Sequence, residues 1–205
     1  MISKSIENAV IFGCKGPRLT EVEFNFFKET LPFGFILFSR NIINSKQVNE
    51  LCQSLRDAVG WYAPILIDQE GGRVQRIKPP LALDRLPPLD EAQKAGPNAK
   101  SVFKLRFSTI ANELLSLGID FNCAPVLDIA RPTTHRFLRN RCYGVNKSDV
   151  ISLGRVAYDA LKSNGVFPII KHMPGHGCAS HDSHFELPVV KASKKELLAN
   201  DFAVF

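Results

Sequence analysis

Short apolar runs recur along the chain, separated by longer stretches of mixed polarity. Runs that are apolar at consecutive positions are typical of strands covered on both faces, as in parallel sheets. The pattern therefore predicts buried parallel strands at residues 8–13 (NAVIFG), 34–39 (GFILFS), 64–68 (PILID), 121–129 (FNCAPVLDI) and 166–171 (VFPIIK).

Helical patterns occupy the stretches between these runs. Thr20 with Glu23 predicts a capping box at the start of the first helix, and Gly60 is placed to end the second. Strand alternating with helix implies right-handed βαβ units and an α/β fold. The predicted helical segments are 19–29, 44–60, 99–117 and 149–163, followed by one that begins at Ser193.

The connections between the predicted elements differ in length. The helix-to-strand links are short, whereas the strand-to-helix links at residues 69–97, 130–147 and 172–192 are long and polar. In α/β barrels the chemistry lies on the loops that follow the carboxyl ends of the strands, and a doubly wound open sheet has the same bias. We therefore expect one site built from these long loops, in either architecture.

Composition narrows the possible functions. A chain of 205 residues, 45% hydrophobic and 22% charged, has the size and composition of one globular domain. The net charge of +6 comes from scattered lysines and arginines, so no nucleic-acid partner is expected. No apolar run approaches the ~18 residues of a membrane span, so no membrane partner is expected either. The five cysteines are widely spaced without a CxxC pair, which predicts free thiols and a cytoplasmic location.

The loop after the third predicted strand carries charges of both signs. Asp68 ends the strand in ILIDQEGGRVQRI, Glu70 and Arg76 follow, and Gly71 with Gly72 permits a sharp turn. The loop lacks GxGxxG and the Walker lysine, which argues against a nucleotide-phosphate site. A solvated loop with an Asp–Arg ion pair is the alternative to a functional role.

The loop after the fourth predicted strand is basic. Arg136, Arg139 and Arg141 lie close together in RPTTHRFLRNRCYG. The planar fork of donors on arginine suits hydroxyl pairs or carboxylates. A solvated basic loop is again the alternative.

The segment from Lys171 to Pro188 holds four of the five histidines. One interpretation is a metal site, with His172 and His176, or His181 and His184, as ligands. However, the prolines and glycines of KHMPGHG prevent the helix that would place an HxxxH pair on one face, and no HExxH occurs. We therefore expect no metal.

A different arrangement is offered by the sequence Asp182-Ser183-His184. An aspartate can accept a hydrogen bond from an imidazole, fix its tautomer and raise its basicity. The other ring nitrogen then serves as an acid or base near neutral pH. A glycine-rich loop would let such a dyad swing in and out of a site.

Six motifs, in this order, resemble those of the family 3 glycoside hydrolases, and more closely those of the bacterial β-N-acetylglucosaminidases that recycle peptidoglycan. The resemblance runs from about Val10 to Phe205, nearly the whole chain. The motifs are GFILFSRNI, ILIDQEGGRVQR, FNCAPVLDI, NRCYG, KHMPGHG and DSHFELP.

The resemblance implies a TIM (β/α)8 barrel, with residues 1–205 as the N-terminal part of a single domain, about five of eight βα units. It implies a cytosolic β-N-acetylhexosaminidase that removes terminal, non-reducing β-linked N-acetylglucosamine from peptidoglycan-derived muropeptides. The mechanism would be retaining and would need no metal or cofactor. By carry-over, the acid/base is His184, held by Asp182, and the sugar-binding residues are Asp68, Arg76, Arg141, Lys171 and His172.

Two features depart from the family pattern. Cys142 stands where a small hydroxyl residue is usual. The family's nucleophile is an aspartate on a later loop, and neither Glu70 nor Glu186 fits its position. The chain alone is therefore predicted to be inactive, with open barrel edges that allow self-association. Two alternatives stay open: a non-catalytic sugar-binding remnant, and a metal-dependent hydrolase that uses the histidine cluster.

Overall fold

The computed structural model describes residues 8–181 and 185–205. The strands in chain order are β1 (Asn8–Phe12), β2 (Pro32–Leu37), β3 (Ile65–Ile67), β4 (Gln69–Gly71), β5 (Val74–Gln75), β6 (Phe121–Asn122) and β7 (Phe167–Pro168). The α-helices are α1 (Glu21–Thr30), α2 (Ser45–Val59), α3 (Pro88–Ala95), α4 (Ala99–Ser116), α5 (Arg136–Arg139), α6 (Lys147–Ser163) and α7 (Lys194–Ala199). Short 3₁₀ turns are formed by Ser39–Asn41, Gly96–Asn98 and Phe202–Val204.

One parallel sheet organises the fold, with the strand order β1-β2-β3-β6-β7. The strands lie side by side in the same order as they occur in the chain, and every neighbouring pair is parallel. Helices α1 and α2 pack together, as do α4 and α6, so the connecting segments also form a layer. The architecture is an incomplete (β/α) barrel, which confirms the predicted fold class.

The predicted helix signals are present in the structure. The Thr20 hydroxyl accepts a hydrogen bond from the Glu23 amide at 3.2 Å, and the Glu23 carboxylate accepts one from the Thr20 amide at 3.1 Å. Gly60 ends α2 in the left-handed conformation, with φ of 77°. These local signals fix where each helix begins and ends, and the apolar face of α2 enters the core through Val48, Leu51, Leu55 and Val59.

The fourth predicted strand is shorter than the apolar run suggested. Only Phe121 and Asn122 pair continuously, and a separate bridge then joins Val126 to Lys171. Pro125 lies between the two paired regions and has no N–H to donate to a neighbouring strand. The run from 121 to 129 therefore follows the sheet without pairing at every residue.

The outer strands leave apolar side chains in contact with solvent. Ile11 in β1 is 44% exposed, and Phe167 in β7 is 57% exposed although its ring stacks on Phe121 at 4.8 Å. Within the described residues, β1 pairs only with β2, and β7 pairs only with β6. The barrel is therefore open along both edges. None of the described helices is long and apolar enough to cross a membrane.

Residues 69–97 are more ordered than the long loop predicted for them. They contain the antiparallel hairpin β4–β5 and helix α3. Strands of two or three residues carry no measurable periodicity, so the sequence pattern could not show the hairpin. Gly71 turns the hairpin with φ of 107°, and the guanidinium of the buried Arg106 lies directly against it.

Gly71→Ala should destabilise the fold by about 2–3 kcal/mol, because the new methyl group would overlap the Arg106 guanidinium and the backbone conformation disfavours a side chain. Thermal unfolding measures the effect. The matched control is Gly16→Ala, since no atom lies within 4 Å of the added methyl group there. Equal unfolding midpoints for the two variants would contradict this account of the turn.

Candidate active site

A cluster of charged side chains lies at the carboxyl ends of the parallel strands. Asp68 directly follows β3, and Lys171 lies at the bridge that extends the sheet beyond β7. The Lys171 ammonium contacts Asp68 Oδ1 at 2.7 Å, and Arg76 Nη2 contacts Asp68 Oδ2 at 3.1 Å. The structure thus brings together three of the residues that the resemblance singled out, from segments far apart in the sequence.

Glu70 lies beneath this cluster with no exposed surface. Its carboxylate accepts hydrogen bonds from Arg141 Nε at 2.9 Å and from Arg141 Nη2 at 2.8 Å, and it contacts the Lys171 ammonium at 2.5 Å. A solvated loop, the alternative considered from the sequence, is therefore wrong for Glu70. The buried carboxylate joins the loop after β3 to the loops after β6 and β7.

The hairpin holds Arg76 over the strand ends through a pair of buried amides. The Gln69 backbone amide donates to Asn122 Oδ1, and Asn122 Nδ2 donates to the Gln69 backbone carbonyl, each at 3.0 Å. The Gln69 side-chain oxygen also accepts from the Arg76 amide at 2.9 Å. Because these amides are fully buried and partnered, they fix the position of the Arg76 backbone relative to β6.

His172 is oriented by a second buried carboxylate. Asp128 Oδ2 lies 2.6 Å from His172 Nδ1, and Arg141 Nη2 lies 3.2 Å from His172 Nε2. Arginine can only donate, so Nε2 is the accepting nitrogen and the Nδ1–H group donates a hydrogen bond to Asp128 Oδ2. The two contacts therefore fix the orientation of the His172 ring in the site.

The cluster has a buried part and a part open to solvent. The side chains of Asp68, Arg76 and His172 are 20%, 28% and 33% exposed. Glu70 and Asp128 are enclosed, and Arg141 is nearly so. The open side thus presents the carboxylate acceptor of Asp68 and the guanidinium donors of Arg76, together with the His172 ring.

Both paired carboxyls stay ionised at neutral pH. Burial opposes ionisation, yet Lys171 and Arg76 hold the pKa of Asp68 below its usual range. Glu70 is more deeply buried than Asp68, and burial alone would raise its pKa. Arg141 and Lys171 outweigh this effect and hold the pKa of Glu70 below its usual range. A carboxyl whose pKa is lower in the folded protein than in the unfolded chain stabilises the fold at pH values above the unfolded-state pKa. This contribution is lost as the pH falls through the folded-state pKa.

The described part of the histidine-rich loop packs on the segment after β6. The Thr134 hydroxyl donates to the Gly177 carbonyl at 2.5 Å, and Asp128 Oδ1 accepts from the His176 amide at 2.6 Å. The ring of His176 lies 6.3 Å from that of His172 and 5.3 Å from that of Phe137. The start of the loop therefore continues the charged cluster towards Phe137.

Beyond Phe137 lies an open cavity of about 590 Å³. His181 and Phe185, the described residues on either side of the predicted dyad, line it together with Arg73. Asp182 and His184 themselves lie outside the described residues, so their roles stay predictions. Among the residues that the structure does describe, no group of three or more candidate ligand side chains could hold a metal ion.

Cys142 has a structural setting. It is fully buried, and its thiol donates to the Leu138 carbonyl at 3.6 Å. The departure from the family pattern at this position therefore faces the core, not the open side of the cluster. All five cysteines are unpaired, as the sequence predicted.

Glu70 and Asp128 are the two members of the cluster that sequence reasoning did not assign. Asp128 did carry a signal, because it follows an apolar run in VLDI just as Asp68 does in ILID. Glu70 carried none, since its burial depends on Arg141, a partner 71 positions away.

A partial parallel barrel with charged side chains at the carboxyl ends of its strands is typical of the α/β-barrel class of domains, whose sites lie at that end. The Glycosyl hydrolase family 3 N terminal domain matches residues 13–205. The chain belongs to glycosyl hydrolase family 3.

Relatives and solved structures agree with this assignment. The chain is 32% identical over 200 residues to the beta-hexosaminidase of Haemophilus influenzae, covering 97% of this chain and 56% of that protein. Native NagZ from Neisseria gonorrhoeae superposes with a TM-score of 0.86 at 31% identity, covering 95% of this chain and 57% of that one. The same NagZ in complex with N-trifluoroacetyl-D-glucosamine gives a TM-score of 0.87 at 31% identity, covering 95% and 58%. The chain thus spans little more than half the length of these relatives.

Proposed function

We propose that this chain supplies the sugar-binding half and the acid/base of a β-N-acetylglucosaminidase. The observation that carries the proposal is the convergence of Asp68, Arg76, Arg141, Lys171 and His172 on one open cluster at the strand ends. The substrate would be a terminal, non-reducing β-linked N-acetylglucosamine on a peptidoglycan-derived muropeptide. The unpaired cysteines support a reducing, cytoplasmic location.

The proposed mechanism is retaining and proceeds in two steps. His184, held by Asp182, would protonate the glycosidic oxygen as a carboxylate attacks the anomeric carbon, and the aglycone would leave. His184 would then take a proton from the water that hydrolyses the glycosyl-enzyme. Most retaining glycosidases use two carboxyl groups for these roles, so a histidine would here replace one of them.

The attacking carboxylate is not among the described carboxylates of the cluster. Asp68 is held by Lys171 and Arg76, Glu70 has no exposed surface, and Asp128 is bound to His172. This observation favours a second candidate, a sugar-binding domain without catalysis, for residues 1–205 alone. In the proposed enzyme the nucleophile would come from a barrel loop outside this chain.

The experiment that tests the function uses what we term the completed barrel. This is residues 1–205 joined to the segment of the gonococcal NagZ that lies beyond the matched region, which supplies the remaining βα units. A folded completed barrel should release the chromophore from an aryl β-N-acetylglucosaminide and give the β-anomer of the sugar first, as seen by NMR. Turnover that requires an added metal ion, or an α-anomer as the first product, would overturn the proposed mechanism.

The substrate class is tested separately on the same protein. Muropeptides that carry a terminal β-linked N-acetylglucosamine should be cleaved with a higher kcat/KM than chitobiose. Mass spectrometry of the released fragments measures both reactions in one mixture. A preference for chitobiose would contradict the muropeptide assignment while leaving the glycosidase activity in place.

Asp68→Ala should weaken sugar binding in the completed barrel by about 10- to 100-fold, because buried hydrogen bonds to sugar hydroxyls leave costly unpaired groups when one partner is removed. The measurement is KM together with the affinity for N-acetylglucosamine. Asp159→Ala is the matched control, since it removes an aspartate paired with Arg155 on the exposed surface of α6. An unchanged KM in Asp68→Ala would remove Asp68 from the sugar site.

A further inference from the structure

Glu70 matches no catalytic position of the family, yet its carboxylate is fully enclosed within the cluster. We propose that Glu70 is a positioning residue, which sets the orientation of Arg141 and Lys171 towards the sugar without touching the sugar itself. This inference rests on the proposed function. It assigns a role in substrate recognition to a residue behind the binding surface.

The geometry at the carboxylate fixes both cations at once. Arg141 binds through Nε and Nη2 to the two Glu70 oxygens, at 2.9 and 2.8 Å, which is the two-pronged arrangement that determines the plane of a guanidinium. Lys171 contacts Glu70 Oε1 at 2.5 Å and Asp68 Oδ1 at 2.7 Å. The ammonium is therefore held between a buried carboxylate and a partly exposed one.

Glu70 is itself held from behind. Its backbone carbonyl accepts hydrogen bonds from the Arg106 guanidinium, through Nε at 3.2 Å and through Nη2. Arg106 is buried and also pairs with Glu91 in α3. A carboxylate anchored at both its backbone and its side chain has little freedom, so it can impose one geometry on its partners.

The effect of Glu70 extends to His172. The same Arg141 Nη2 that binds Glu70 lies 3.2 Å from His172 Nε2, and Asp128 holds the other side of the imidazole. A rotation of the Arg141 guanidinium would therefore change the donor presented to His172 as well. One buried carboxylate thus orients Arg141 in the loop after β6 and Lys171 and His172 in the loop after β7.

A direct chemical role does not fit Glu70. A nucleophile must reach the anomeric carbon, and a general acid must reach the leaving oxygen, but Glu70 has no exposed surface and its oxygens are bound by Arg141 and Lys171. Its depressed pKa also keeps it from carrying a proton at neutral pH. Positioning is the role that remains for a residue in this setting.

The test compares Glu70→Gln with Glu70→Asp in the completed barrel. The dissociation constant of N-trifluoroacetyl-D-glucosamine is measured by ¹⁹F NMR, and KM and kcat with an aryl N-acetylglucosaminide. Glu70→Gln should raise the dissociation constant and KM about 10- to 100-fold, because its amide donor would face the donors of Arg141 or Lys171. KM should change by a larger factor than kcat.

Glu70→Asp separates positioning from charge compensation and also covers the case in which Glu70→Gln fails to fold. The aspartate keeps the negative charge but retracts it by one methylene, so positioning predicts a loss of about 10-fold in affinity. If only the charge mattered, Glu70→Asp would bind the sugar as tightly as the wild type. That result would overturn the inference while the proposed function stood.

Asp120→Asn is the matched control, because Asp120 is a buried carboxylate that accepts from the Ile65 amide at 2.8 Å and from Arg56 at 3.4 Å, just before β6 begins. It should lower the unfolding temperature and leave the dissociation constant unchanged. An equal loss of affinity in Asp120→Asn would show that Glu70 only supports the fold and does not position the sugar-binding groups. If the folded completed barrel without any substitution neither binds nor cleaves the sugar, the proposed function is overturned, and the inference with it.

Discussion

His184→Ala should lower kcat of the completed barrel by about 10²–10⁴-fold, the usual contribution of a positioned general acid/base. Both chemical steps of the proposed mechanism move a proton through this imidazole, so neither the departure of the aglycone nor the attack of water would retain its assistance. The dissociation constant for N-acetylglucosamine should change little, because the cluster proposed to bind the sugar is built from other residues.

Two further variants test the role of His184, one at its predicted partner Asp182 and one at the control residue His181. Asp182→Asn should cost as much as His184→Ala or less, since the amide can still orient the imidazole but stabilises its cation less well. His181→Ala is the matched control, an exposed histidine on the same loop, and should keep nearly full turnover. Near wild-type kcat in His184→Ala would remove the dyad from the mechanism.

Residues 1–205 alone should give no detectable hydrolysis of an aryl N-acetylglucosaminide, in contrast to the completed barrel. A retaining mechanism needs a carboxylate to trap the glycosyl centre. The described carboxylates of the cluster are committed to ion pairs with Arg76, Arg141 and Lys171, or to the contact between Asp128 and His172 Nδ1. His184 could protonate a leaving group, but no covalent intermediate would form.

The same protein should also self-associate or aggregate. The open edges at β1 and β7 present unpaired backbone groups, and the exposed Ile11 and Phe167 add apolar surface beside them. Size-exclusion chromatography with light scattering measures the association. Addition of the missing NagZ segment in trans should restore both a defined size and turnover. A stable monomer of residues 1–205 with full turnover would show that the nucleophile, or the fold, is wrongly assigned.

The sequence predicted well the elements that depend on local chemistry. The capping box of Thr20 and Glu23 and the left-handed Gly60 are formed by residues close together in the chain, and both are present. The parallel strands followed from consecutive apolar positions, but the prediction of burial was wrong for β1 and β7, which are largely exposed at the open edges of the sheet. Helix α3 is not among the predicted helices, although Pro88 at its first turn and Gly96 at its end are ordinary helix signals.

The site was predictable only in part. Asp68 and Lys171 stand out because each is a charged residue at the end of an apolar run, and the topology of a parallel sheet brings such ends together. Glu70 could not be distinguished from a solvated glutamate, because its environment is created by Arg106, Arg141 and Lys171 from distant segments. Burial of this kind is a property of the assembled sheet and not of the sequence around the residue.

The position of the charged cluster within the chain has a consequence for biosynthesis. When residues 1–205 have emerged from the ribosomal exit tunnel, every side chain of the cluster between Asp68 and His172 has emerged with them. In the proposed enzyme, the sugar-binding half would therefore emerge ahead of the barrel loop that supplies the nucleophile. A nascent chain of the proposed enzyme would be able to hold its ligand before it could cleave it, and recognition would precede reactivity in time as well as in the order of the genetic message.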